Sequence, residues 1–302
     1  MNTVGLLGVP LDLGAGRRGT DMGPSALRLA RLGTRLQEIG KTVQDHGYIA
    51  VAAPEMRQAG DPKLRFVGEI QRTCLRLRER VRAILKDGAL PLVLGGDHSI
   101  AMGTVAGVAA HYAERNEEIG LLWVDAHADS NTPQTTPSGN VHGMPLAVLL
   151  GRGDRRLLDI GTRTPVVAPK RTVLFGVRSV DRGESRRLRD LGLSVYTMQD
   201  IDERGCGPCL REALHRLTDG TAGLHMSLDM DALDPEYAPG VGTPERGGLT
   251  YREAHLTCEL VAESQKLLSI EVVEVNPILD ERNMTANVAV ELVQSALGKT
   301  II

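Results

Sequence analysis

The chain has 302 residues, 42% of them hydrophobic, and a formal net charge of −3, enough to bury a sizeable core as one large α/β unit or two smaller ones. A near-balanced charge spread along the chain excludes the basic face that nucleic acid or an anionic membrane requires, and 3% aromatic residues leave little for base stacking. MNTVGLLGVPLDLG has neither the basic start nor the long apolar core of a signal peptide, no run is long enough to span a bilayer, and four cysteines are too few for a disulfide scaffold, so a cytoplasmic protein is expected.

Taken in chain order, short apolar runs alternate with longer amphipathic ones. A strand is predicted at 4–9, a helix at 24–38, a strand at 42–45, a helix at 63–86 and a strand at 90–94. A helix at 100–114, strands at 119–124 and 172–177, and a helix at 184–190 follow. The last elements are a strand at 193–196, a helix at 210–217, strands at 223–228 and 268–275, and helices at 251–264 and 285–296. Pro24 suits a first helical turn, and Gly40 and Gly88 suit helix ends. Strand–helix alternation predicts a parallel sheet covered on both faces. The Pro/Gly/Ser-rich segments 131–143 and 238–248 each follow a strand, and such loops gather at the carboxyl edge of a parallel sheet.

Chemistry concentrates at the strand ends. WVDAHADSN places Asp125, His127 and Asp129 at alternate positions, and HMSLDMD places Asp229 and Asp231 two apart. In extended backbone each set would share a face. Chance alternation on a solvated strand edge is the bland alternative. His98, after LPLVLGGD, adds an imidazole, and the turns Gly95-Gly96 and Asp234-Pro235 bring backbone close by. Taken singly, His98 fits a structural histidine and Asp231 a helix cap. Together, four carboxylates and two imidazoles exceed what one ion takes and suit two. With no cysteine in the set a thiolate zinc site is excluded. The oxygen-rich donors suit Mn²⁺ best, with Fe²⁺, Co²⁺ or Zn²⁺ as alternatives. A two-metal site generates hydroxide near neutral pH, which points to hydrolysis without naming a substrate.

GGDHS (95–99), DAHADSN (125–131), SGNVHGMP (138–145), SLDMDALDP (227–235), APGVGTP (238–244) and VEVNP (273–277) resemble the ureohydrolases and, within them, the arginases. LDLGAGRRGTDMGPSALR (11–28) and EVNPILDERNMTA (274–286) extend the resemblance over essentially the whole chain. It implies one catalytic domain over 1–302 with a three-layer α/β/α fold around a parallel sheet of about eight strands. It further implies two Mn²⁺ per subunit on His98, Asp125, His127, Asp129, Asp229 and Asp231, with Asp125 and Asp229 bridging. The implied reaction is hydroxide attack on the guanidinium carbon of L-arginine, giving L-ornithine and urea. Glu274 would orient the guanidinium, Asp129 would move the nucleophile's proton, and His142 would shuttle protons. Asn131, Ser138 and Asn140 match α-carboxylate contacts, with His127 and Thr243 also lining the site. Asp181 and Glu184 match an acidic pair near the α-ammonium, and both also suit a helix N-terminus. A homo-oligomer, trimer or hexamer, is implied as well.

Two departures stand out. Ser130 replaces an apolar residue common in arginases and is expected to face away from the metals with little effect. Glu245, in GTPER, is similar to the agmatinase spelling. An agmatinase, or another ureohydrolase acting on a guanidino or formimino compound, is therefore the alternative. The loop 138–145, which reads an α-carboxylate that agmatine lacks, favours arginine. Two further motifs belong to other function classes. GAGRRG (14–19) fits a dinucleotide fingerprint, but the predicted helix starts too late for those glycines to present it to a pyrophosphate. A loop needing backbone freedom is the expected reading. Cys206-Gly-Pro-Cys209 is spelled like a redox motif just before a helix, a position that lowers a thiol pKa, but two incidental thiols are expected.

Overall fold

A computed structural model describes residues 2–300. The strands are β1 (Thr3–Gly8), β2 (Thr42–Tyr48), β3 (Leu90–Leu94), β4 (Gly120–Val124), β5 (Thr172–Val177), β6 (Ser194–Thr197), β7 (Leu224–Asp229) and β8 (Leu267–Val273). The helices are α1 (Gly23–Leu29), α2 (Leu32–Glu38), α3 (Val67–Lys86), α4 (Ala101–Ala113), α5 (Pro145–Leu149), α6 (Arg155–Leu158), α7 (Arg182–Asp190), α8 (Met198–Arg204), α9 (Cys206–Thr218), α10 (Tyr251–Glu263) and α11 (Met284–Ala296). All eight predicted strands are present, and every pair in the order β2-β1-β3-β8-β7-β4-β5-β6 is parallel. The continuous apolar runs of β3, β4 and β5 are buried along their whole length, as strands covered on both faces must be. Pro91 fits inside the sheet because the β3–β8 ladder begins only at Leu92.

Two apolar cores flank the sheet. Leu6, Leu92, Leu122, Val173, Met226 and Ile270 pack with α1, α2, α9, α10 and α11. On the other face Leu7, Val93, Leu121, Trp123 and Leu174 pack with α3 and α4. Gly103 and Gly107 let α4 lie against α3, since a Cβ at either would come within 2.6–2.7 Å of an α3 carbonyl. The predicted three-layer α/β/α arrangement is thus the observed one.

Three helical predictions need correction. The helix expected at 24–38 is two helices, because Arg31 takes a left-handed conformation (φ 65°) between them and leaves Leu29 exposed. The helix expected from 63 begins at Val67, with Phe66 left-handed. The residues before it brace a neighbouring loop instead: Lys63 Nζ donates to Thr136 O (2.9 Å) and Arg65 N to Gly139 O (3.1 Å). The third helix, α9, starts at Cys206 rather than 210, so Cys206 and Cys209 lie within its first turn and are buried. Burial pushes both thiols up, opposite to the lowering a helix start alone would give. The short α5, α6 and α8 were not predicted, being too brief to show a 3.6-residue period.

Candidate metal centre and adjoining cavity

The strand order decides which loops meet. β3, β8, β7 and β4 are consecutive neighbours. Their carboxyl ends carry His98, Glu274, the Asp229–Asp231 pair and the 125–129 segment, and β5 beside β4 leads into Asp181 and Glu184.

Period-two alternation is not how the acids converge. β4 ends at Val124, and residues 125–129 leave it as a bent loop closed by His127 N–H donating to Asp125 Oδ1 (2.7 Å). Asp129 is left-handed (φ 46°). Asp229 closes β7, while Asp231 lies in a 3₁₀ turn, its N–H donating to Asp229 Oδ1 (2.8 Å). Aspartates caught in local side-chain-to-backbone bonds end the strands and fold the donors inward. Glu274 is also left-handed (φ 63°), its N–H donating to Gly96 O (2.9 Å). Such backbone persists in a non-glycine residue only where the surroundings hold it.

The donors form two groups that share Asp125: His98 with Asp125 and Asp229, and His127 with Asp125 and Asp231. In the inner group His98 Nδ1 faces Asp125 Oδ2 (3.1 Å), Asp129 Oδ2 (3.1 Å) and Asp229 Oδ2 (3.0 Å). In the outer group His127 Nδ1 faces Asp231 Oδ2 (3.1 Å) and Asp125 Oδ1 (3.5 Å). Asp125 thus turns one oxygen to each side, whereas Asp229 belongs to the inner group. Trp123 Nε1 donates to Asp125 Oδ2 (2.9 Å) and Thr243 Oγ1 to Asp231 Oδ2 (3.0 Å), fixing both carboxylates.

Charge in this cluster is unbalanced. Burial, joined by the nearby Asp125 carboxylate, pushes Asp129 up to about 6 and also raises Asp229 and Asp231. Burial works against charge on both histidines, but the acids around them hold both well above the ordinary imidazole range. His98 Nδ1 is buried without a satisfying hydrogen bond although three carboxylate oxygens surround it. A donor set of hard oxygens and imidazole nitrogens that gathers protons in this way fits divalent cations.

Beside the cluster lies a cavity of about 130 Å³ whose wall includes His127, Asp129, Asn131, Ser138, Asn140, His142, Asp181, Glu184, Thr243 and Glu274. Every residue expected to contact substrate therefore borders one space. Glu274 Oε1 accepts from His98 N–H (2.9 Å) and pairs with His142 Nδ1 (2.9 Å), while its buried Oε2 has no partner. Burial opposes charge on His142, but the Glu274 carboxylate outweighs it and pushes the imidazole up to about 9, not the unperturbed value. At the other end Arg65 donates to Asn140 Oδ1 (3.1 Å), which leaves the Asn140 amide nitrogen as a donor. Asn131 Nδ2 donates to Asp181 Oδ2 (3.0 Å).

The two readings of Asp181 and Glu184 coincide. Asp181 is the N-cap of α7, and its N–H donates to Glu184 Oε2 (3.0 Å) in a capping box, while both acids border the cavity. Burial pushes Glu184 up to about 7. At position 130 the backbone makes the contact: the Ser130 N–H donates to Glu184 Oε1 (2.7 Å), with its hydroxyl 3.4 Å from the same oxygen. The GAGRRG segment forms a loop at the outer mouth, with Gly14 N–H bound to Asp97 Oδ2 (2.8 Å) and α1 starting only at Gly23. A Cβ at Gly14 would come within 2.7 Å of the buried Asp97 carboxylate and 2.9 Å of Ser99 Oγ, so close approach explains that glycine. Two supports lay unread in the sequence. Arg178 donates to the carbonyls of Asp231, Ala232, Leu233 and Glu245, stapling the outer loops. The second is a polar ladder, His225-Ser227 on β7 beside Ser269-Glu271 on β8. Its signal was polar residues at every second position inside runs read as simply apolar.

A parallel α/β/α sandwich with a buried carboxylate–imidazole centre at its carboxyl edge is an arrangement that suits a metal-dependent hydrolase. A family model described as the arginase family matches residues 2–298, and the chain belongs to that family. It is 48% identical to an arginase of Bacillus caldovelox over the full length of both chains. It is 46% identical to one of Bacillus subtilis over 99% of each. The crystal structure of the B. caldovelox arginase superposes with a TM-score of 0.95, covering 100% of both chains.

Proposed function

We propose that this protein hydrolyses L-arginine to L-ornithine and urea, with two Mn²⁺ per chain held by His98, Asp125, His127, Asp129, Asp229 and Asp231. One observation carries the reading: Glu274, whose buried Oε2 has no partner, lines a cavity that also borders the paired donor groups. Burial opposes ionisation there, yet the His142 imidazole beside it holds this carboxyl below its ordinary range. A charged carboxylate with a free oxygen suits a planar guanidinium. The paired cations, when bound, would acidify water near neutral pH.

The chain's own residues do the rest. Glu274 accepts guanidinium N–H bonds and holds the carbon in line for attack. As the new C–O bond forms and the bond from that carbon to the side-chain nitrogen breaks, Asp129 takes the water proton and delivers it to that nitrogen. His142 borders both the cavity and the outer mouth, so it exchanges protons between the departing amine and solvent. Ser138 and Asn140 supply donors to the α-carboxylate beside Asn131, and Asp181 and Glu184 supply acceptors to the α-ammonium. The same reading takes 1–302 as one catalytic domain, acting in the cytoplasm as a homo-oligomer, trimer or hexamer.

The test is urea release by Mn²⁺-loaded protein from L-arginine and agmatine in parallel. Urea from arginine alone supports the reading. Urea from agmatine alone keeps the hydrolysis and overturns the substrate, and urea from neither overturns both. Glu274→Gln should lower kcat on arginine about 10²–10³-fold, the scale of removing one transition-state-orienting group, with Mn²⁺ content unchanged.

A further inference from the structure

β7 and β8 carry polar side chains on a face that should be apolar. His225, Ser227 and Asp229 alternate along β7, and their parallel partners on β8 are Ser269, Glu271 and Val273. His225, Ser227, Ser269 and Glu271 are each 0% exposed. Five buried polar side chains in a row are costly unless each is satisfied by the next.

Three hydrogen bonds join them and His98, while His225 Nε2 and Glu271 Oε2 are buried without a partner. His225 Nδ1 lies 2.7 Å from Ser269 Oγ, and His225 Nε2 lies 3.4 Å from Glu271 Oε1. Ser227 Oγ donates to Glu271 Oε1 (2.7 Å) and lies 2.8 Å from His98 Nε2. His98 itself is stacked parallel on Trp123, with ring centroids 4.0 Å apart, so its plane is fixed.

Hydrogen counting gives the ladder a purpose. A serine hydroxyl has one hydrogen to donate. Glu271, a carboxylate, can only accept, so it takes that hydrogen. Ser227 must then accept from His98 Nε2, which places the imidazole proton on Nε2. Nδ1, the atom facing Asp125, Asp129 and Asp229, is then the nitrogen that gives up its proton and offers its lone pair when a cation binds. A neutral imidazole of that tautomer is what a cation needs.

We propose that Glu271 is a positioning residue for the inner cation: through Ser227 it fixes the tautomer of His98. This rests on the reading above that the His98 group binds a cation. The carboxylate also makes the imidazole more basic as a ligand through the shared serine.

The test is Mn²⁺ binding to metal-free full-length protein by equilibrium dialysis, with melting in chelator as the measure of folding. Wild-type protein should bind two Mn²⁺. Glu271→Gln and Glu271→Met should weaken one of the two sites about 10- to 100-fold, the scale of losing an outer partner of a metal ligand, and leave the other unchanged. His225→Gln should weaken the same site less. Because Glu271 acts through Ser227, Glu271→Gln should add nothing to the loss already caused by Ser227→Ala. A merely structural role would instead lower the melting temperature in chelator and give additive losses at both sites. Two wild-type-like sites in folded Glu271→Met and His225→Gln overturn the inference alone. Wild-type protein that binds no Mn²⁺ overturns the cation reading with it. If Glu271→Met does not fold, the Ser227→Ala and His225→Gln comparison decides the matter.

Discussion

The two imidazoles of the candidate centre live in different surroundings. His98 has a side chain 1% exposed, is stacked on Trp123, and is backed by the hydrogen-bonded Ser227–Glu271 pair. His127 is 24% exposed, and behind its Nε2 the nearest acid is Glu245 at 3.9 Å, itself 44% exposed and held by Ser179 (3.1 Å). Arg178 staples the backbone around it, but His127 also borders the mouth together with Arg17 and Glu245. One half is built as core and the other as the rim of an opening. The difference teaches that a paired site need not be symmetrical in burial: the inner half is sealed by packing, and the outer half borders the opening.

The largest expected effect removes what the halves share. Asp125→Ala should abolish Mn²⁺ binding in both, leaving urea release at background, as read by metal analysis and a urea assay. One full site surviving would show that the halves do not depend on Asp125. The next comparison separates them. During timed dialysis of Mn²⁺-loaded protein against chelator, the metal content should fall from two to a plateau of one. His127→Asn should lose the fast phase and His98→Asn the slow one. A single phase in wild-type protein would erase the distinction.

Proton competition sharpens it further. Asp129 is pushed up to about 6, so in metal-free protein it holds its proton below that pH. Its contribution to the stability of metal-free protein is therefore present at low pH and lost as pH rises through about 6. Cation binding must displace that proton, so Mn²⁺ affinity should fall as pH drops through about 6. The rise in melting temperature on adding Mn²⁺ should thus be small at pH 5 and large at pH 7.5. A pH-independent rise would place Asp129 outside the ligand set. The smallest effect belongs to the rim. Glu245→Gln breaks no contact shorter than the Ser179 bond, so stability should change by no more than about 0.5 kcal/mol. The arginine-to-agmatine preference should hold. A reversed preference would make the rim the seat of specificity.

Strand positions were legible because buried parallel strands are written as unbroken apolar runs, and the donors because acids and histidines at strand ends have no packing reason to be there. The helix break at Arg31 was not legible, since Leu29, Leu32 and Leu36 keep helical spacing straight across it, yet Leu29 is exposed while Leu32 and Leu36 are buried. The contact at Ser130 was not legible either, because it is made by the backbone: its N–H, which any residue but proline would supply, donates to Glu184.

By itself the sequence determined the class of fold, the set of candidate donors and the family, because residue types, their spacing and hydrophobic runs are local properties of the chain. Tertiary structure alone decided how those donors meet. The order β3-β8-β7-β4 brings together loops that lie up to 176 residues apart, as between His98 and Glu274. It also decided which imidazole is sealed and which is open, and that Glu271 stands behind His98. Burial and hydrogen-bond partnership across strands depend on neighbours that no local pattern specifies.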